Sequence, residues 1–340
     1  MLRWIFRFLF VACFLFLCVV GWVGTYAFTA APGNGDPVTV YIPRGSGVIR
    51  IQYLLSREHL VKEDPRFLLL VRILQLTNRL KAGEFVFSSN MTPLEVLQVL
   101  EKGRPVRHSI VIREGLTMAE IAALLTSKTW IDGERFLQLS RNPDKIAAFG
   151  IEADSLEGYL FPDTYSMVRG ETDADRLIDT MVGRFQSLYE RIRSEADPQK
   201  KKAAAKLSRH EVVTLASIIE KETGRAEERP LISRVFLNRL TRGMRLQADP
   251  TVIYGLVDFN GNITRADLKR PTPYNTYIIK GLPPGPICNP GKAAIMAVFQ
   301  PAEGKYLYFV SKNDGTHYFS KTLREHNKAV KKYQQRKKKG

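Results

Sequence analysis

The sequence predicts an α+β protein: a single N-terminal transmembrane helix, then short β-α modules, then a larger mixed α+β body. Three observations carry this. An uncharged run of 21 residues extends from Phe8 to Phe28. Three segments before residue 130 repeat one strand-turn-helix pattern. The remainder alternates one-sided apolar helical stretches with irregular segments and ends on a hairpin signal. The predicted parts are a cytoplasmic stub and anchor at 1–30, a β-α region at 37–130, the main body at 131–330 and a basic tail at 331–340.

Composition narrows the class. With 340 residues, 44% hydrophobic and 25% charged, the chain suits a globular protein of about two domains. A wholly disordered chain and a polytopic membrane protein are excluded. Cys13, Cys18 and Cys288 are the three cysteines, too few for a disulfide framework or a cysteine zinc cluster. The net charge is +17, of which residues 321–340 supply +8 through nine Lys/Arg and one Glu. The rest is a diffusely basic surface, suited to an anionic lipid surface or an acidic polymer.

The N-terminus sets the compartment. At about 1.5 Å per residue, Phe8–Phe28 spans a hydrocarbon core of roughly 30 Å. The apolar part of a cleaved signal runs roughly 7–15 residues, so this reads as an uncleaved anchor in the inner (cytoplasmic) membrane, although Thr29-Ala30-Ala31 offers a weak cleavage site. Arg3 and Arg7 precede the run, and Asp36 is the only charge within fifteen residues after it. The positive-inside rule places residues 1–7 in the cytoplasm and the body outside, with Trp22 and Tyr26 at the far interface. Nucleic acid is not expected as a partner.

The three β-α segments are Tyr41–Leu55, Phe85–Leu100 and Ile110–Leu125. Each strand ends at Ile42, Phe87 or Ile112, and Gly45, Asn90 or Gly115 sits where a turn tolerates positive φ. Helical spacing follows at Ile51, Leu54 and Leu55, at Val96, Val99 and Leu100, and at Ile121, Leu124 and Leu125. Thr92/Glu95 and Thr117/Glu120 have capping-box spacing, and Pro93 suits a first helical position. The units resemble the LysM-like modules of cell-wall enzymes. A plain spacer remains the alternative, because no aromatic sugar platform lies within the repeats.

Further on, Ala174 to about Ala196 reads as an amphipathic helix. Ser208 to Gly224 predicts another, with Ser208 and Glu211 as a capping box and Val212, Leu215, Ala216 and Ile219 as its buried stripe. Glu220 and Glu222 fall on opposite flanks of that stripe. A carboxyl beside an apolar stripe tends towards a raised pKa, as a general acid needs. Helical geometry nominates both carboxyls, chooses neither, and leaves open a salt-bridged surface role.

The succession Leu215-Ala-Ser-Ile-Ile-Glu-Lys-Glu-Thr223, Arg234–Leu240, Met244–Gly255, Arg270–Tyr277, Gly281–Ile287, Asn289-Pro-Gly291 and His326–Val330 resembles the endolytic murein transglycosylases, the MltG or YceG-like family. The resemblance runs in order from about residue 37 to residue 330. It implies a peptidoglycan lytic transglycosylase that cleaves the MurNAc-GlcNAc β-1,4 bond of nascent glycan strands and leaves 1,6-anhydro-MurNAc ends. It further implies a terminator of glycan elongation, working beside peptidoglycan polymerases (penicillin-binding proteins) without cofactor or metal. Under the resemblance the first Glu of Glu-Lys-Glu, Glu220, is the catalytic residue and Glu222 a bystander. One carboxyl then serves as acid towards the bridging oxygen and as base towards the C6 hydroxyl that attacks C1.

Gln247, Asp249, Tyr254, Tyr274, Asn275 and Tyr277 are the candidate substrate-binding residues. Asp249 before Pro250 also fits a helix cap. The tyrosines offer stacking faces or core packing, and Asn275 offers an acetamido ligand. Asn289 is expected to cap a helix running to about Phe299. A hairpin is expected around Asn313-Asp-Gly315. Glu157, Asp163, Glu227 and Glu228 are expected to be structural, and His210, His317 and His326 too scattered to ligate a metal. The alternatives are a non-catalytic peptidoglycan-binding scaffold and a hydrolytic muramidase.

Overall fold

The computed structural model describes residues 2–202, 204–257 and 259–335. The end of the basic tail, Arg336 to Lys339, lies outside the described residues. The chain divides into two compact units, one of residues 1–110 with 166–173 and one of residues 111–165 with 174–340.

The first unit begins with α1 (Leu2–Phe28), the one helix among the described residues long and apolar enough to cross a membrane. Most of α1 is exposed, but Val23, Tyr26 and Ala27 in its last turns are buried. They join a core with β1 (Pro37–Ile42), α2 (Val48–Arg57), α3 (Pro65–Ile73), β2 (Gly83–Ser88) and α4 (Pro93–Lys102). β1 and β2 run antiparallel, with Pro37 opposite Ser88 and Ile42 opposite Gly83. The capping box at Thr92/Glu95 forms, with Pro93 in the first turn of α4. Gly45 has φ +76°, as expected, whereas Asn90 keeps negative φ and accepts from Ser88 Oγ at 2.7 Å. β3 (Arg107–Val111) contains the passage into the second unit.

The third β-α segment therefore divides. Its helix α5 (Met118–Lys128), capped by Thr117 and Glu120, packs on α6 (Gly133–Ser140) inside the second unit. α7 (Pro143–Ala148) and β4 (Thr164–Val168) follow, and β4 is the partner strand of β3. The β-α order matches expectation at all three places, but the strands do not share one sheet.

The second unit is built around α10 (Arg209–Glu222), which is preceded by α8 (Ala174–Glu195) and the short α9 (Pro198–Lys201). Ser208 and Glu211 exchange the two expected capping bonds, at 3.2 and 2.8 Å. Residues Val212 to Ile219 are all buried, so α10 is a core helix rather than a one-sided one. It packs against α11 (Arg229–Thr241), α12 (Asp249–Tyr254) and α13 (Lys292–Phe299). β5 (Tyr308–Ser311) and β6 (His317–Ser320) form the expected hairpin, with Asn313 and Gly315 at positive φ, and α14 (Leu323–Val330) closes the unit.

Two polar residues hold this body together from within. Asn289 does not cap α13, whose N-cap is Gly291 without a side-chain bond. Its side chain is fully buried instead. Its Oδ1 accepts from the N–H groups of Gly158 and Leu160 at 2.9 and 3.0 Å, and its Nδ2 donates to Leu116 O and to Glu157 Oε1 at 3.0 Å each. Gly158 itself has φ +87° with Pro286 and Val213 against its Cα, a place no side chain fits. Glu157, also buried, accepts from Met118 N–H at 3.0 Å, and burial pushes its carboxyl up to about 7.

Candidate active site

The last turn of α10 sends the two glutamates into different surroundings. Glu220 Oε1 accepts from Arg229 Nη2 at 2.7 Å, and Oε2 accepts from the Gly291 N–H at 3.0 Å. Both side chains are nearly enclosed, with 5% of Glu220 and 9% of Arg229 exposed. Glu114 stands 3.9 Å from the same guanidinium, and its own carboxyl is raised by burial and by Glu220. Glu220 is thus held by an enclosed cation on one oxygen and a backbone N–H on the other.

Glu222 is the last residue of α10 and lines a cavity of ≈ 320 Å³ with Arg239, Gln247, Asp249, Tyr277 and His317. Among the described residues its carboxyl takes part in no hydrogen bond or ion pair. Burial pushes it up to about 8, and the neighbouring Asp249 charge adds to the rise against the opposing pull of Arg239. A helix C-terminus, the negative end of the peptide dipole, acts in the same sense. Burial and the Asp249 charge thus both favour the protonated form of this carboxyl.

The walls are set by long-range contacts. Gln247 has φ +50°, a left-handed conformation uncommon outside glycine. Its N–H donates to Thr276 O at 3.1 Å, and Ala248 N–H donates to Thr276 Oγ1 at 3.0 Å, so the backbone there is pinned. Gln247 and Asp249 keep exposed side chains at the cavity. Asp249 does not cap α12, whose N-cap is Ala248; its Oδ1 accepts from Tyr277 OH at 2.6 Å. Burial and this bond raise the Tyr277 phenol. Arg239 is buried and donates to Leu307 O at 2.7 Å and Leu246 O at 2.6 Å, which fixes its charge beneath the site.

Gln247, Asp249 and Tyr277 thus meet at one cavity, but it is Glu222 and not Glu220 that meets them. Tyr254 and Tyr274 form a separate pair, ring centres 4.8 Å apart, with Tyr254 OH donating to Glu157 Oε2 at 3.3 Å. Asn275 is fully buried. Its Nδ2 reaches Asp267 O, Leu268 O and Arg270 O at 2.9–3.3 Å, and its Oδ1 accepts from Tyr277 N–H at 2.9 Å. It is a loop brace that has no free amide for a ligand. Arg239, His317 and His326 line the site without having been singled out by spacing, since the fold alone brings α11, β6 and α14 to the end of α10.

Comparison with known proteins gives the family. The YceG-like family model matches residues 40–332. An endolytic murein transglycosylase of Bacillus subtilis (strain 168) is 34% identical over 311 residues, 87% of this chain and 84% of that protein. One of Streptococcus pneumoniae serotype 2 is 31% identical over 329 residues, 86% of this chain and 58% of that longer protein. The crystal structure of a yceG-like protein of Listeria monocytogenes superposes with a TM-score of 0.58 at 33% identity, over 87% of this chain and 100% of that one. Matched along most of its length in sequence and in fold, the chain belongs to the YceG-like family.

Proposed function

We propose that the protein is an endolytic murein transglycosylase acting on peptidoglycan, with Glu222 as the group that protonates the bridging oxygen between MurNAc and GlcNAc. The names of its bacterial relatives support the activity. The observation that carries the residue is the unpaired Glu222 carboxyl, pushed up to about 8 in a cavity shared with Gln247, Asp249 and Tyr277. An acid must hold its proton at working pH and face the substrate; the raised Glu222 carboxyl lines the cavity, whereas Glu220 is engaged by Arg229 and the Gly291 N–H and does not line it. Glu220 is accordingly read as a brace at the end of α10 rather than as the acid. Intramolecular attack by the C6 hydroxyl then gives a 1,6-anhydro end without water.

In this reading α1 anchors the chain in the cytoplasmic membrane with residues 1–7 inside and the two units outside. The segment 37–130 supplies LysM-like contacts to glycan. Glycan termination beside penicillin-binding proteins is the role such an anchored enzyme would fill. A second reading, a hydrolytic muramidase, draws on Asp249, a second carboxylate in the Glu222 cavity. Mass spectrometry of digested glycan strands separates the two. Muramoyl ends lighter by one water support the transglycosylase, and reducing ends as the primary product support the muramidase. Glu222→Gln should abolish either product, and unchanged activity in that variant would remove the proposed acid.

A further inference from the structure

His317 stands on β6 and lines the cavity that holds Glu222. Its Nδ1 is 2.7 Å from Glu228 Oε2, and its backbone N–H donates to Glu228 Oε1 at 2.7 Å. Thr223, the residue that follows Glu222, donates its hydroxyl to the same Oε2 at 3.4 Å. Glu228 is 9% exposed. Glu228 already accepts from a backbone N–H and a hydroxyl, and an ionised carboxylate can only accept, so it pairs with a ring whose Nδ1 carries the proton. In that tautomer the lone pair lies on Nε2, which has no hydrogen bond among the described residues. Phe309 meets the ring edge to face at 5.4 Å and Phe319 lies 6.4 Å away, so the imidazole is held on several sides. Glu228 is thus the orienting group of a histidine whose other nitrogen is left for a ligand.

We infer that His317, oriented by Glu228, is the base that takes the proton of the attacking C6 hydroxyl. This rests on Glu222 being the acid of a lytic transglycosylase. The carboxylic proton of Glu222 passes to the bridging oxygen as the C1–O bond breaks. The C6 oxygen bonds to C1, and its proton passes to Nε2 of His317. The site is left with a Glu222 carboxylate and a His317 imidazolium beside the Glu228 carboxylate. Return of that proton from His317 to Glu222, directly or through water, restores the starting state with no co-reactant. Two groups divide the work that a single carboxyl would otherwise perform in sequence. The other charged or titratable groups lining the cavity with it are Glu222 from α10, Arg239 from α11, Asp249 from α12, Tyr277, and His326 from α14.

The test uses the full chain in detergent and purified glycan strands, with anhydro ends counted as a function of pH. His317→Gln should lower kcat by about 10²–10⁴ with little change in KM, and should delete the low-pH limb of the kcat/KM profile. Added imidazole should restore part of the turnover of His317→Ala. Glu228→Gln should move the same limb, and it guards against a His317 variant that fails to fold. A merely structural pair would lower the melting temperature of Glu228→Gln and leave the limb in place. An intact low-pH limb in folded His317→Gln or in Glu228→Gln overturns the assignment, as does His317→Ala that ignores imidazole. Failure of the acid is distinguishable, because Glu222→Gln would then keep the high-pH limb whatever happens to the low one.

Discussion

Arg229 Nη2 lies 2.7 Å from Glu220 Oε1, so the first carboxylate of Glu-Lys-Glu is neutralised by an enclosed cation while the second, Glu222, faces a cavity unpaired. Two residues, about half a helical turn, separate the paired carboxylate from the unpaired one. The pair also ties the end of α10 to the start of α11, and the Gly291 N–H adds the loop before α13.

Breaking that pair should be costly. Glu220→Gln keeps an acceptor for Gly291 but leaves Arg229 buried with only the more distant Glu114. Removing one partner of a buried ion pair costs roughly 3–5 kcal/mol. Urea unfolding should show a loss of that order, and residual anhydro-end formation should exceed that of Glu222→Gln. Equal stability to the parent would contradict the bracing role.

Glu222→Gln should do the reverse. Activity should fall by at least the roughly 10²–10⁴ of one acid-base function. Stability should rise with a defined pH dependence. The folded carboxyl is raised from 4.5 to about 8, so the native state binds the proton more tightly than the unfolded chain. Parent stability from this group is complete below about 4.5 and declines as pH rises through about 8. The variant lacks that decline. The two proteins should melt together near pH 4 and diverge up to pH 9, with the variant higher; a gap that narrows with rising pH would contradict the raised carboxyl.

Which features were legible in the sequence follows from the range of the contacts that make them. The capping boxes at Thr92, Thr117 and Ser208 and the hairpin at Asn313-Asp-Gly315 are local hydrogen-bond patterns, and each forms where spacing placed it. The different surroundings of Glu220 and Glu222 are made by Arg229, Gly291 and Asp249, which lie up to 71 residues away. Asn275 and Asn289 carry the same amide whether they meet a sugar or a buried backbone. Only the packing of residues 267–270 and 157–160 around them decides. His317 looked isolated because its partner Glu228 is 89 residues distant.

Asn289→Ala should destabilise the second unit without touching the cavity chemistry directly. It strands the buried N–H groups of Gly158 and Leu160 and removes a donor from Glu157. Each orphaned buried group costs roughly 1–3 kcal/mol. Thermal unfolding should show a clear loss, and a variant as stable as the parent would mean that water replaces the amide.

The anchor prediction turns on where α1 stops being lipid-facing. The intact chain should fractionate with the membrane, since Phe8–Phe28 is uncharged and most of α1 is exposed. Its last turns are a different matter. Val23, Tyr26 and Ala27 are buried in the first unit, and Tyr26 OH donates to Lys62 O at 3.3 Å. Full burial of a large apolar side chain stabilises by about 1.5–3 kcal/mol, so these residues belong to the core as much as to the span. Deleting residues 1–21 should release a soluble protein whose first unit melts as in the parent. Deleting residues 1–30 should also release it but lower that transition by several degrees, as a loss of about 1 kcal/mol or more does in a domain of this size. Equal melting of the two truncations would mean that α1 contributes nothing to the first unit, and an intact chain found in the soluble fraction, shortened near Ala31, would show a cleaved signal in place of an anchor.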